Sequence, residues 1–132
     1  MMMTLFRESR IEQILSYIGS FLGIISMLLL AGVGLYPTDT YGSEHDFSQM
    51  YFFLYFSLSI MTYSITIIIK KDYFFGYGVF GFILATIAII YAMTDLFDPI
   101  STTLQKVIIY SYISWALVQI KPIWQFIDHN KK

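Results

Sequence analysis

The chain contains no cysteine, which removes disulfides, thiolate nucleophiles and Cys-based metal centres from consideration. Histidine occurs twice, at His45 and His129, and proline three times. Charge is scarce too. Of 132 residues, 13% are charged, against about a quarter in an ordinary soluble domain. The net charge of −1, with no basic patch interleaved with aromatics, argues against nucleic acid as a partner. Nor is there a phosphate-binding Gly-rich loop following a strand, a Gly-x-Ser-x-Gly or a His-Glu-x-x-His motif. The sequence reads as a non-catalytic protein without a cofactor.

What the chain does have is apolar length. It is 57% hydrophobic, with a mean hydropathy of +0.65. Three stretches, Gln13–Thr38, Phe47–Ile69 and Tyr73–Thr94, carry no charge, and each exceeds the roughly 20 residues needed to cross a bilayer. The first is too long for the apolar core of a signal peptide, about 7–15 residues, and is expected to be retained. Charges and turn residues divide the chain into expected helices at about 13–36, 44–69, 73–94 and 99–120. Pro37 ends the first. Ser43, three residues before Asp46, resembles an N-cap for the second, and Asp98-Pro99 suits the start of the fourth. Pro122 is unwelcome in a helix interior, so residues 122–132 read as an interfacial tail.

Arg7, Arg10, Lys70, Lys71, Lys121, Lys131 and Lys132 then fall on one side of the membrane, and of the basic residues only Lys106 does not. By the positive-inside tendency both termini are cytoplasmic. The expected fold is an all-α membrane protein, an antiparallel bundle of four transmembrane helices in one integral membrane domain spanning residues 1–132. The expected location is the plasma membrane of a prokaryote. Lys106 lies about two turns inside the fourth helix, where its stem can carry the ammonium back to the headgroups.

Between helices in lipid, small residues permit close approach. Gly78, Gly81, Ala85, Ala88 and Ala92 form a seam on the third helix. Ser16, Gly19, Gly23 and Ser26 do so on the first, Ser59, Thr62 and Thr66 on the second, and Ser111 and Ser114 on the fourth. These seams read as contacts within the bundle, with a homo-oligomer or another membrane subunit as the sharper alternative. Tyr63, Tyr110, Tyr112 and Trp115 are expected at depth, where their polar tips need partners. No Asp, Glu, His or Arg is expected inside the spans, which argues against a coupled transporter.

Reactive side chains gather only on the outer side: Asp39, Glu44, His45 and Asp46 in one loop, Asp95 and Asp98 in the other, with Lys106 nearby. They form a candidate headgroup or metal site centred on His45. Catalytic zinc prefers three protein ligands rich in histidine, and this side offers one, so a solvated loop with helix caps is the plainer reading.

Gly32-Val-Gly34-Leu-Tyr-Pro37, then His45, then Phe52-Phe53 resembles the pattern of the DUF998 family of bacterial and archaeal membrane proteins: a helix ending in Gly-x-Phe-Pro, an acidic loop with a histidine, then an aromatic helix start. Leu104-Gln105-Lys106 with Trp115 downstream is similar to that family's last helix. Frag1/DRAM-type proteins share the histidine-then-aromatic start. The resemblance spans about Gly19–Ile120. Tyr36 stands where the family has Phe, Gln105-Lys106 replaces its usual polar pair, and the chain matches only the last four spans of longer proteins. It implies an α-helical bundle of uncharacterised function, with lipid-related roles suggested for the eukaryotic relatives, and draws interest to Pro37, His45 and Trp115 without assigning them a reaction. The function expected is a lipid-interacting or assembly subunit whose partners are membrane lipids; the alternatives are an outer-surface headgroup or metal protein at His45, and an oligomeric channel.

Overall fold

The computed structural model describes residues 10–37, 39–70, 75–93 and 100–120. They form four α-helices: α1 (Arg10–Leu35), α2 (Gly42–Ile69), α3 (Phe75–Met93) and α4 (Ile100–Val118). At 26, 28 and 19 residues, α1, α2 and α3 are about 39, 42 and 28 Å long at 1.5 Å per residue. All three are long and apolar enough to cross a membrane, whose hydrocarbon core is about 30 Å thick. α4 has 19 residues but is not among the helices that meet that measure, because Gln105, Lys106 and a series of hydroxyl side chains dilute its apolar content. Asp98 and Pro99, expected to start α4, and the tail 122–132 lie outside the described residues.

α1 begins at Arg10, a turn earlier than the uncharged run implied. Its other end is fixed by Pro37, which has no N–H to continue the ladder. The short turn that follows is internally bonded: Tyr41 N–H reaches Pro37 O at 2.9 Å and His45 N–H reaches Tyr41 O at 2.9 Å. Ser43 is not the cap of α2. Tyr41 holds that position without a side-chain bond, and the Ser43 hydroxyl instead donates to Glu44 Oε2 at 2.8 Å.

α1 packs on α2 through positions that lack bulk. A methyl group built on Gly32 would stand 3.0 Å from Ser48 Oγ, one on Gly23 3.3 Å from Ser59 Oγ, and one on Gly19 3.0 Å from the Tyr63 ring. Positions descend on α1 as they ascend on α2, so the two helices run antiparallel. This closeness lets hydroxyls bond across: Ser59 Oγ donates to Gly19 O at 2.6 Å, and Ser20 Oγ pairs with Tyr63 OH at 2.5 Å. Such bonds satisfy polar groups that lipid cannot.

The opposite side of α2 meets α3. A methyl on Gly78 would lie 2.6 Å from Ile68 Cγ1 and 2.9 Å from Ser64 O. Further along, the Phe53 and Tyr91 rings meet edge to face with centroids 5.8 Å apart. Gly78, Gly81, Ala85 and Ala88 are buried, together with Leu84 and Tyr91, while Ala92 is half-buried.

α4 inserts Ile108, Tyr112 and Trp115 into the core. The Tyr112 hydroxyl bonds Ser57 Oγ at 2.5 Å, its ring stands edge-on to Phe56 at 4.9 Å, and Trp115 Nε1–H donates to Tyr77 O at 3.1 Å. Other membrane-depth hydroxyls bond back to their own helix, Thr62 to Leu58 O, Thr66 to Thr62 O and Thr86 to Phe82 O, each at 2.8 Å. Those contacts close the acceptor and donor accounts without a second helix.

Candidate functional site

The turn between α1 and α2 carries the reactive side chains anticipated for an outer site. His45 occupies the first turn of α2 and is half-buried, while Asp39, Glu44 and Asp46 are exposed. His45 Nδ1 lies 2.8 Å from Tyr36 O. A carbonyl can only accept, so Nδ1 carries a hydrogen and donates it. The imidazole thereby fastens the first turn of α2 to the last residues of α1, and the Tyr36 and Tyr41 rings meet edge-on beside it, centroids 5.7 Å apart.

This arrangement does not collect the acids around the histidine. The Glu44 carboxylate takes the Ser43 hydroxyl, and no group of three His, Cys, Asp or Glu side chains able to hold a metal occurs among the described residues. Asp95 and Asp98 lie outside the described residues. Lys106 is exposed on α4. What the turn does chemically is close a helix hairpin with an imidazole bonded to a carbonyl.

A second polar region lies at the far end of the same helix pair. Glu12 and Lys70 are each only 7% exposed. Continuing the α1–α2 register two turns past Gly19 and Tyr63 sets them at the same level. Along the seam, Ser16, Ser26 and Thr66 are almost fully buried, and Tyr63 OH also reaches Ser16 O at 3.4 Å. Two buried hydroxyl oxygens, Ser16 Oγ and Ser64 Oγ, make no hydrogen bond. Ser64 faces the tight contact of Gly81 with Trp115, where no space for a ligand remains.

The expected helices at 13–36 and 44–69 leave Glu12 and Lys70 just outside the spans, whereas both are buried at the ends of α1 and α2. A signal existed. Glu12, Ser16, Gly19, Gly23 and Ser26 follow one another at +4, +3, +4 and +3, the spacing of a single helix face, so Glu12 belongs to the seam. Ser59, Tyr63, Thr66 and Lys70 do the same on α2. The aromatics expected at depth divide: Tyr63, Tyr112 and Trp115 find polar partners, whereas Tyr110 is 67% exposed.

No protein-family model matches the chain, and no characterised protein or solved structure does either. The likeness to the DUF998 pattern therefore rests on the quoted residues alone.

Proposed function

We propose that this chain is a non-catalytic integral membrane component, four helices across the membrane with both termini on the cytoplasmic side, serving as a lipid-interacting or assembly subunit. The observation that carries the reading is the contrast between its faces. The outward sides of α1 and α3 present Phe21, Ile24, Leu28, Phe80, Ile83 and Ile87, each at least half exposed, while the inward sides carry small residues and hydroxyls such as Ser59, which bonds across the α1–α2 contact. Such a surface suits lipid and wastes no polar group on it.

The basic residues at the expected inner rim support the orientation, and the plasma membrane of a prokaryote remains the proposed location. In this reading α4 completes the set of spans by leaning on α2 and α3, its own apolarity being short of that of the other three helices. The similarity to DUF998 proteins is proposed as a family relationship and agrees with a lipid-related role. His45 supports the turn rather than a reaction, since its Nδ1 is engaged with Tyr36 O.

Native mass spectrometry of the chain released from lipid nanodiscs tests the proposal. Retained phospholipid, or a complex of more than one subunit, is the expected result. A bare monomer that binds neither lipid nor partner would remove the subunit reading.

A further inference from the structure

We propose that copies of this chain associate in the membrane with the outward face of α4 (Lys106, Tyr110, Ser114) laid against the aromatic end of α2 (Phe47, Tyr51, Tyr55) in the next copy. The proposal deepens the assembly role above and rests on its membrane reading.

The starting point is a difference between helices. The outward faces of α1 and α3 are apolar, but α4 turns Ile108, Tyr112 and Trp115 inward and leaves Lys106, Tyr110 and Ser114 exposed. Their +4, +4 spacing puts them on one face. Ionisable and polar groups inside a membrane face protein or water far more than lipid, so this face calls for cover. The interior of the same copy cannot supply it, because that side of α4 is already filled.

The matching surface is the remaining side of α2. Phe47 is 58% exposed, and Tyr51 and Tyr55 are half-buried. Their rings form a ladder, with centroids 4.4 Å apart from Phe47 to Tyr51 and 6.3 Å from Tyr51 to Tyr55. The exposed acids Glu44 and Asp46 stand just beyond it. A cation on one face and aromatic rings topped by carboxylates on the other are electrostatically complementary.

Depth agrees as well. Tyr112 meets Ser57, and Trp115 and Ser64 converge at Gly81, so α4 runs parallel to α2 with Lys106 level with the turn from Tyr51 to Tyr55. Copies inserted in one membrane share orientation and depth, so that level also holds between copies. The Lys106 stem carries its ammonium toward Phe47 and the acids, and Tyr110 comes level with the lower end of the ladder. Both faces belong to this chain, which favours a second copy over an unrelated protein. Because the two faces differ, the contact is heterologous, and repetition gives a ring or an open row.

The absence of cysteine makes the test clean. Tyr110→Cys and Tyr55→Cys chains, co-expressed with different tags and oxidised in the membrane, are expected to give a disulfide-linked dimer carrying both tags. Ile87→Cys on α3 paired with Tyr55→Cys is the control expected to give none. Lys106→Gln in the Tyr110→Cys chain is expected to lower the linked yield about five-fold, the effect of losing one partly desolvated cation–π contact. Both chains recovered from the membrane as unlinked monomers would overturn this interface, while their membrane integration would leave the bundle reading standing. Equal linking by the Ile87→Cys control would also overturn it.

Discussion

Replacing Gly81 by alanine adds one methyl group where three helices converge. The new carbon would lie 2.5 Å from Trp115 Nε1 and 2.8 Å from Trp115 Cε2, with Ser64 Oγ closer still. Neither neighbour is a loose end. Trp115 is 5% exposed and is tethered by its Nε1–H to Tyr77 O, and Ser64 sits mid-helix with no exposure. Overpacking of this kind costs about 1–3 kcal/mol. Losing the indole hydrogen bond adds about 0.5–1.5 kcal/mol, and the better helix propensity of alanine returns about 1 kcal/mol. A net destabilisation of about 2 kcal/mol follows. Reversible unfolding in mixed micelles with increasing SDS, followed by circular dichroism, measures it. Gly34→Ala is the reference, because a methyl there meets nothing within 4 Å; it should be neutral or slightly stabilising. Trp115→Phe should relieve part of the Gly81→Ala penalty, since it removes the crowded indole nitrogen. If Gly81→Ala is as stable as the parent, or if the penalty is unchanged beside Phe, the packing at this junction is not as described.

Three further outcomes follow from individual contacts. A double-mutant cycle of Ser57→Ala and Tyr112→Phe, measured by the same unfolding assay, should give a coupling of about 0.5–2 kcal/mol, as for other hydrogen bonds between membrane helices. His45→Ala should cost about 1 kcal/mol through loss of the bond to Tyr36 O, and zinc titrated calorimetrically into the parent should give no heat that the substitution abolishes. Glu12→Leu should change stability by more than about 1 kcal/mol, because it disturbs a buried polar end, whereas exposed Glu44→Leu should change it by less than about 0.5 kcal/mol.

The three apolar helices were legible because absence of charge over a long run is a strong signal, and the small-residue seam of α3 was legible from its spacing. Faces were harder. Spacing alone grouped Ser59, Thr62 and Thr66 together, yet Ser59 reaches Gly19 O across the interface while Thr62 turns back on Leu58 O. A helical hydroxyl has both options, and the neighbour decides. In α4 the hydroxyls of Tyr110 and Tyr112 look equivalent in sequence but point nearly opposite ways, and only the packing of Ile108 and Trp115 selects Tyr112. Glu12 and Lys70 escaped because charged residues bordering an apolar run read as solvated flanks. At the α1–α2 turn the acids and His45 suggested ligands; in the structure Glu44 takes the Ser43 hydroxyl and His45 bonds Tyr36 O, so these two side chains act as turn supports.

The central claim is a membrane bundle whose α1–α2 turn and α2–α3 link lie on opposite sides. Single cysteines at Asp46 and Lys71, each in the otherwise cysteine-free chain, test it directly with an impermeant thiol reagent on intact cells. Labelling is expected at position 46 before permeabilisation and at position 71 only after it. Labelling of both positions in intact cells, or of position 71 alone, would contradict it.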